Sequence, residues 1–225
     1  MKYTCWYQRT CKRQSEICDN LKNCELCTRY LQMRLQTELA NIPMEFPIDH
    51  KLDETKSDLE AYIYLKNLDI QDFVVNGKSL VIQSEGNGNG KTSWAKKLLL
   101  RYMAKKVGKI NTGYFINLPI ALAEAKEAIT TKEELPYKRI FSTVRLLVID
   151  EVGAKKLSEF EESWLLRMIM EREKKPGLAT IYTLNTTKGV NLKDVLGKRL
   201  YSRIINKSKI VTFVEGDKRG WQQED

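Results

Sequence analysis

The sequence predicts an α/β protein: a five-stranded parallel sheet flanked by helices, preceded by a small cysteine-rich head. Three observations carry this expectation. From about residue 57 onward, five short apolar runs containing β-branched residues alternate with stretches of helical periodicity. The first of those runs leads through a glycine-rich turn, EGNGNGKTS, directly into a helix-like stretch. All five cysteines of the 225-residue chain fall within its first 27 residues.

Taken in order, residues 1–40 form the head and end in a helix, CELCTRYLQMRLQTELANIP, with apolar positions at Leu26, Tyr30, Leu31, Met33, Leu35 and Leu39. Pro43 and Pro47 break that pattern, so residues 41–56 read as a linker. Residues 57–225 form the main domain. Its strands are expected at Leu80–Ser84, Tyr114–Asn117, Arg145–Asp150, Thr180–Leu184 and Lys209–Phe213. Its helices are expected at Ser93–Lys106, Pro119–Ala128, Glu159–Arg172 and Leu192–Ile205. Buried parallel strands joined by helical crossovers place ligands at the carboxyl ends of the strands.

Composition excludes several classes. Hydrophobic residues make up 42% of the chain, enough for a core, with 30% charged residues and a mean hydropathy of −0.43. Runs such as Leu146-Leu147-Val148-Ile149 are far too short to span a bilayer. The opening MKYTCWYQRTCKRQ has no apolar signal stretch, so a cytoplasmic protein is expected, with no membrane partner. The net charge is +9, and the stretch from Lys188 to Arg219 holds nine Lys/Arg against three Asp/Glu. That balance favours a polyanionic partner, either nucleic acid or phosphate ligands, with a generally basic soluble protein as the competing reading of charge alone.

Cys5, Cys11, Cys18, Cys24 and Cys27 are an odd set without a secretory signal, which argues against a disulfide framework. Crowded reduced thiols point to a metal, and four thiolates close a structural Zn²⁺ site. Cys24-x-x-Cys27 has knuckle spacing, and Cys5 with Cys11 completes the set, leaving Cys18 spare. An iron–sulfur cluster and metal-free thiols are the alternatives. The single histidine, His50, is too isolated to add a ligand.

Gly90-Lys91-Thr92 is the GK[ST] end of a phosphate-binding loop. Gly86, Asn87, Gly88, Asn89 and Gly90 let backbone N–H groups turn toward phosphate oxygens. The helix that starts near Thr92 and Ser93 adds its N-terminal partial charge. Lys91 reaches the β- and γ-phosphates of ATP, and the Thr92 hydroxyl ligates Mg²⁺. The motif's first glycine is replaced by Glu85, whose carboxylate must point away from phosphate. Downstream, RLLVIDE ends an apolar strand on Asp150 and Glu151, a Walker B pattern. Asp150 holds Mg²⁺ through water, and Glu151 orients and activates the attacking water. Asn185, at the end of ATIYTLN, is placed to bond the terminal phosphate or that water. Arg199 and Arg203, four apart, share one helix face and suit phosphate charge supplied by a neighbouring subunit.

SEGNGNGKTSWA, LLVIDEVGAKKLSEFEESWLLRMIMEREK, TIYTLNTT and LGKRLYSRI, in this order, resemble the AAA+ ATPases of the DnaC/DnaI type, the bacterial and phage loaders of the replicative helicase. The resemblance covers roughly residues 57–215. The segment CWYQRTC…CELCTRYLQMRLQ…NIP is more loosely similar to the Cys-rich heads of such loaders. The resemblance implies a sheet of order 5-1-4-3-2, Asn185 as sensor 1, Arg203 as an arginine finger and Arg199 as its companion. It implies a head that grips a hexameric helicase, and an ATPase domain that meets single-stranded DNA and sister subunits. The terminal EGDKRGWQQED is too short for a helical lid, and loaders of this type also lack one. Two other readings compete. One is a transposition helper ATPase acting on duplex DNA, against which the Cys-rich head speaks. The other is a DNA-binding adaptor that binds ATP without hydrolysing it, against which Asp150, Glu151 and Asn185 speak.

Overall fold

A computed structural model describes residues 28–43, 58–186, 191–214 and 216. The sheet contains β1 (Ser79–Glu85), β2 (Gly113–Asn117), β3 (Leu146–Val152), β4 (Ala179–Thr186) and β5 (Ser208–Phe213). Their spatial order is β2-β3-β4-β1-β5, and every neighbouring pair is parallel. All five expected strands form, each within two residues of its expected ends. The order is the one implied by the resemblance.

Side chains alternate across this sheet, as the pleat requires. Leu80, Ile82, Phe115, Val148 and Ile181 face one core, beneath α4 (Lys91–Ala104) with its buried Leu98, Leu99 and Met103. Val81, Ile116, Leu147, Ile149 and Leu184 face the other. That second core is closed by α5 (Leu118–Thr131), α6 (Tyr137–Thr143) and α7 (Glu159–Glu173), through Leu122, Phe141 and Leu165. Both faces are covered, so the strands read as apolar runs rather than alternating ones.

Three differences from the sequence reading have physical causes. The expected helix over 192–205 is two helices, α8 (Leu192–Leu196) and α9 (Lys198–Ile204). Gly197 separates them, with φ +80° and ψ 149°, a conformation that glycine alone adopts at low cost. The helices α2 (Leu59–Asn67), α3 (Ile70–Val75) and α6 were not anticipated, being too short to display a helical period. Lastly, α1 (Thr28–Leu39) lies against α4. Met33, Ala40 and Ile42, assigned from sequence to the head and the linker, are buried in the core shared with α4. The Phe115 N–H donates to Ala40 O at 2.8 Å, and Asn41 Nδ2 donates to Phe115 O at 3.1 Å, so this segment caps the open edge of β2.

Cys5, Cys11, Cys24 and Cys27, the four expected zinc ligands, lie outside the described residues, as does most of the expected linker. Among the described residues, no helix is long and apolar enough to cross a membrane.

Candidate nucleotide site

The carboxyl edge of the sheet gathers the loop after β1, the end of β3 and the end of β4. β1 ends on Glu85, which pairs in register with Thr186. The chain then turns through Gly86, Gly88 and Gly90, with φ of +81°, +78° and +89°. A Cβ on Gly86 would meet nothing within 4 Å, so its glycine serves conformation and not clearance. Left-handed glycines alternate here with Asn87 and Asn89, an alternation of backbone hand that suits an anion nest. α4 begins at Lys91, and no side chain caps its first turn. Glu85 is exposed and has no left-handed backbone, so β1 runs straight through the position where the motif has its first glycine.

The loop is braced from within. Buried Asn89 accepts from Ser84 Oγ at 2.9 Å. Lys91 Nζ donates to Ser84 Oγ at 2.5 Å and to Gly86 O at 2.9 Å. The ammonium thus sits in the loop among oxygen acceptors, the chemistry that a phosphate also offers.

Asp150 is 4% exposed. Its Oδ1 accepts from Thr92 Oγ1 at 2.9 Å and from Thr183 Oγ1 at 2.6 Å. Burial pushes this carboxyl above the usual range, the Thr183 and Thr92 hydroxyls pull it back, Glu151 adds to the rise, and Lys96 opposes it. A buried carboxylate beside a hydroxyl, at the mouth of a phosphate loop, is a hard-oxygen set that fits Mg²⁺, which takes one or two protein oxygens together with phosphates. Thr92 and Asp150 are the residues that would hold it.

Glu151 is exposed, at a register shift between Ile149 and Val152, and its φ is +62°. A non-glycine residue in that region costs on the order of 1–3 kcal/mol and persists only where its surroundings fix it. Two groups fix it. The Glu151 N–H donates to Thr183 Oγ1 at 3.0 Å. Asn117 Nδ2 donates to Glu151 Oε2 at 3.1 Å, while Asn117 Oδ1 caps α5 by accepting from the Ile120 N–H. Thr183 and Asn117 were missed in the sequence reading. Their only signal there is a polar residue within or ending an otherwise apolar strand.

Asn185 is half-buried at the end of β4 and in register with Ser84, beside the base of the loop. Arg199 and Arg203 are elsewhere. Arg203 Nη1 donates to Glu173 Oε2, and Glu173 is the last residue of α7, from which the chain turns to begin β4. That is the amino edge of the sheet, opposite the phosphate loop. Both arginines lie on α9 and line one cavity of about 570 Å³ with Met170. Among the described residues, no cluster of three or more His, Cys, Asp or Glu could hold a metal.

No protein-family profile matches the chain, and no curated protein matches it. Solved structures do. The crystal structure of the DnaC helicase loader is similar with a TM-score of 0.59 and 20% identity, over 74% of this chain and 95% of that one. The crystal structure of DnaI is similar at 0.56 and 16% identity, over 75% and 95%. The replication initiator DnaA bound to AMPPCP and single-stranded DNA is similar at 0.53 and 17% identity, over 72% of this chain and 48% of that one. The fold is therefore that of the P-loop AAA+ proteins. The chain shares that fold with the solved DnaC and DnaI and with the solved DnaA.

Proposed function

We propose that this protein is a Mg²⁺-dependent ATPase that loads a hexameric replicative helicase onto single-stranded DNA at the initiation of replication. The observation that carries the reading is the convergence of Lys91, Thr92, Asp150 and Glu151 on one edge of the sheet, through Asp150 bonded to the Thr92 hydroxyl. The solved DnaC loader and the solved DnaA bound to AMPPCP and single-stranded DNA support the ligand and partner classes by likeness of fold.

In this reading the N–H groups of residues 86–90 and the Lys91 ammonium bind the phosphates of ATP, with Ser93 in the first turn of α4. Thr92 and Asp150 hold Mg²⁺, which when bound neutralises phosphate charge. Glu151 takes a proton from water at its carboxylate, and Asn185 orients the reacting end. Arg203 acts on the nucleotide of a neighbouring copy, because its own loop lies at the far edge of the sheet. Residues 1–27 carry a Cys₄ zinc site, Cys5, Cys11, Cys24 and Cys27, in a head that grips the helicase. Freshly purified, reduced protein should then contain about one zinc per chain. The protein works in the cytoplasm of a bacterium, whether encoded by the cell or by a phage.

Phosphate release by the wild type and by Lys91→Ala tests the enzyme. Turnover by the wild type, with loss of ATP binding in Lys91→Ala, is the expected result. Tight ATP binding without any turnover would point to the adaptor instead. Recovery from the native host with a transposase, and not with a helicase, would point to the transposition helper.

A further inference from the structure

Arg203 and Lys207 meet on a single carboxylate. Glu173 takes Arg203 Nη1 on Oε2 and Lys207 Nζ on Oε1, the latter at 3.0 Å. The two cations stand one helical turn apart on α9 and the turn that follows it. Two cations converging on two oxygens of one anion is also the arrangement that a terminal phosphate asks for. Here the chain supplies the anion itself.

Among the described residues, Glu173 is the only acidic side chain bonded to either cation, although Lys207 also lines a third cavity with Asp69 and Asp72. Arg203 and Lys207 line the cavity shared with Arg199 and also a second one, of about 460 Å³, at the amino edge. Glu173 is the one acidic residue lining either cavity among the described residues, against Lys78, Arg172, Lys175, Lys198 and Arg199. The triad is reachable by solvent, with side chains 31%, 27% and 57% exposed for Arg203, Glu173 and Lys207. Part-exposed ion pairs of this kind are weak, so a multiply charged phosphate can displace the carboxylate.

We propose that Glu173 is an internal placeholder for phosphate. It holds Arg203 and Lys207 away from other anions until the terminal phosphate of a nucleotide on a second copy of this chain takes its place. Lys207 is then a second cation acting between copies. This rests on the reading of Arg203 as a residue that acts between subunits.

The test is Glu173→Gln, with Arg203→Ala, Lys207→Met and the double variant Glu173→Gln/Arg203→Ala as its companions. Two quantities are followed against protein concentration: phosphate release, and self-association with AMPPCP and Mg²⁺ by sedimentation. Binding of AMPPCP to dilute protein checks that the loop is intact. Removing the carboxylate should lower the concentration for half-maximal release and association by roughly 2–10-fold, the scale of two weak ion pairs. The gain should be absent from the double variant, and Lys207→Met should need a higher concentration than the wild type. Unchanged or weaker association of Glu173→Gln, with AMPPCP binding retained, would overturn the placeholder. Glu173→Ala gives the same reading if the glutamine variant does not fold. Wild-type turnover in Arg203→Ala would instead remove the between-subunit reading itself, and the placeholder with it.

Discussion

Glu151 occupies a backbone conformation that costs free energy, and the groups around it explain why that cost is tolerated. Thr183 ties Glu151 N–H and Asp150 Oδ1 to one hydroxyl, and Asn117 holds the Glu151 carboxylate from β2. Glu151→Gln keeps these bonds feasible but removes the proposed base. It should bind ATP like the wild type and hydrolyse it at least about 10²-fold more slowly, as read by phosphate release; unchanged turnover would refute the assignment. Lys96 makes a different prediction. It is 2% exposed, with Nζ 5.4 Å from the centre of the Phe115 ring. Burial pushes its ammonium down to about 8, while Asp150 pulls the other way. A lysine depressed in the fold costs stability while charged, and that cost is relieved as pH rises from about 8 toward its ordinary value of 10.5. The wild type should therefore gain stability relative to Lys96→Met between pH 8 and 10.5. Thermal unfolding of both proteins across that range checks it, and a flat difference would contradict it. At this scale the residues of the two motifs were legible, because their spacing to a strand end is local. Thr183 and Asn117 were not, because their roles arise from register across β2, β3 and β4, which no local pattern encodes.

The strands were legible because a parallel sheet buried on both faces leaves unmistakable apolar runs, as in Leu146–Ile149. The short helices α2, α3 and α6 span too few residues to show a period. The fate of α1 also could not be read, because its apolar positions are consistent with packing on either the head or the sheet. Gly197 tests the element scale. Its φ of +80° with ψ of 149° breaks α8 from α9, and a Cβ there would fall 2.2 Å from Glu162 Oε1. The Glu162 side chain can swing aside, but the backbone cannot relax without moving α9. Gly197→Ala should lose about 1–3 kcal/mol, measured by urea unfolding. It should also impair turnover, since α9 carries Arg203. Full stability in that variant would mean that the break between the helices is not set by glycine.

Across the whole molecule, the phosphate loop and Arg203 sit at opposite edges of the sheet, so one copy cannot supply both to one nucleotide. On the proposed reading, Lys91→Ala presents Arg203 but does not bind ATP, and Arg203→Ala binds ATP but presents no finger. Mixed on DNA, the two inactive variants should recover part of the wild-type turnover; no recovery where wild-type copies associate would show that Arg203 does not act between subunits. The net charge of +9, concentrated toward the C-terminal region, is in keeping with a polyanion close to such an assembly. The proposed function couples the nucleotide site to helicase placement. Incubating the host's hexameric helicase with circular single-stranded DNA and scoring how much helicase becomes topologically bound measures that coupling. The wild-type protein with ATP and Mg²⁺ should raise the bound fraction severalfold, and Lys91→Ala should not. Equal loading with and without the protein would rule out a loader.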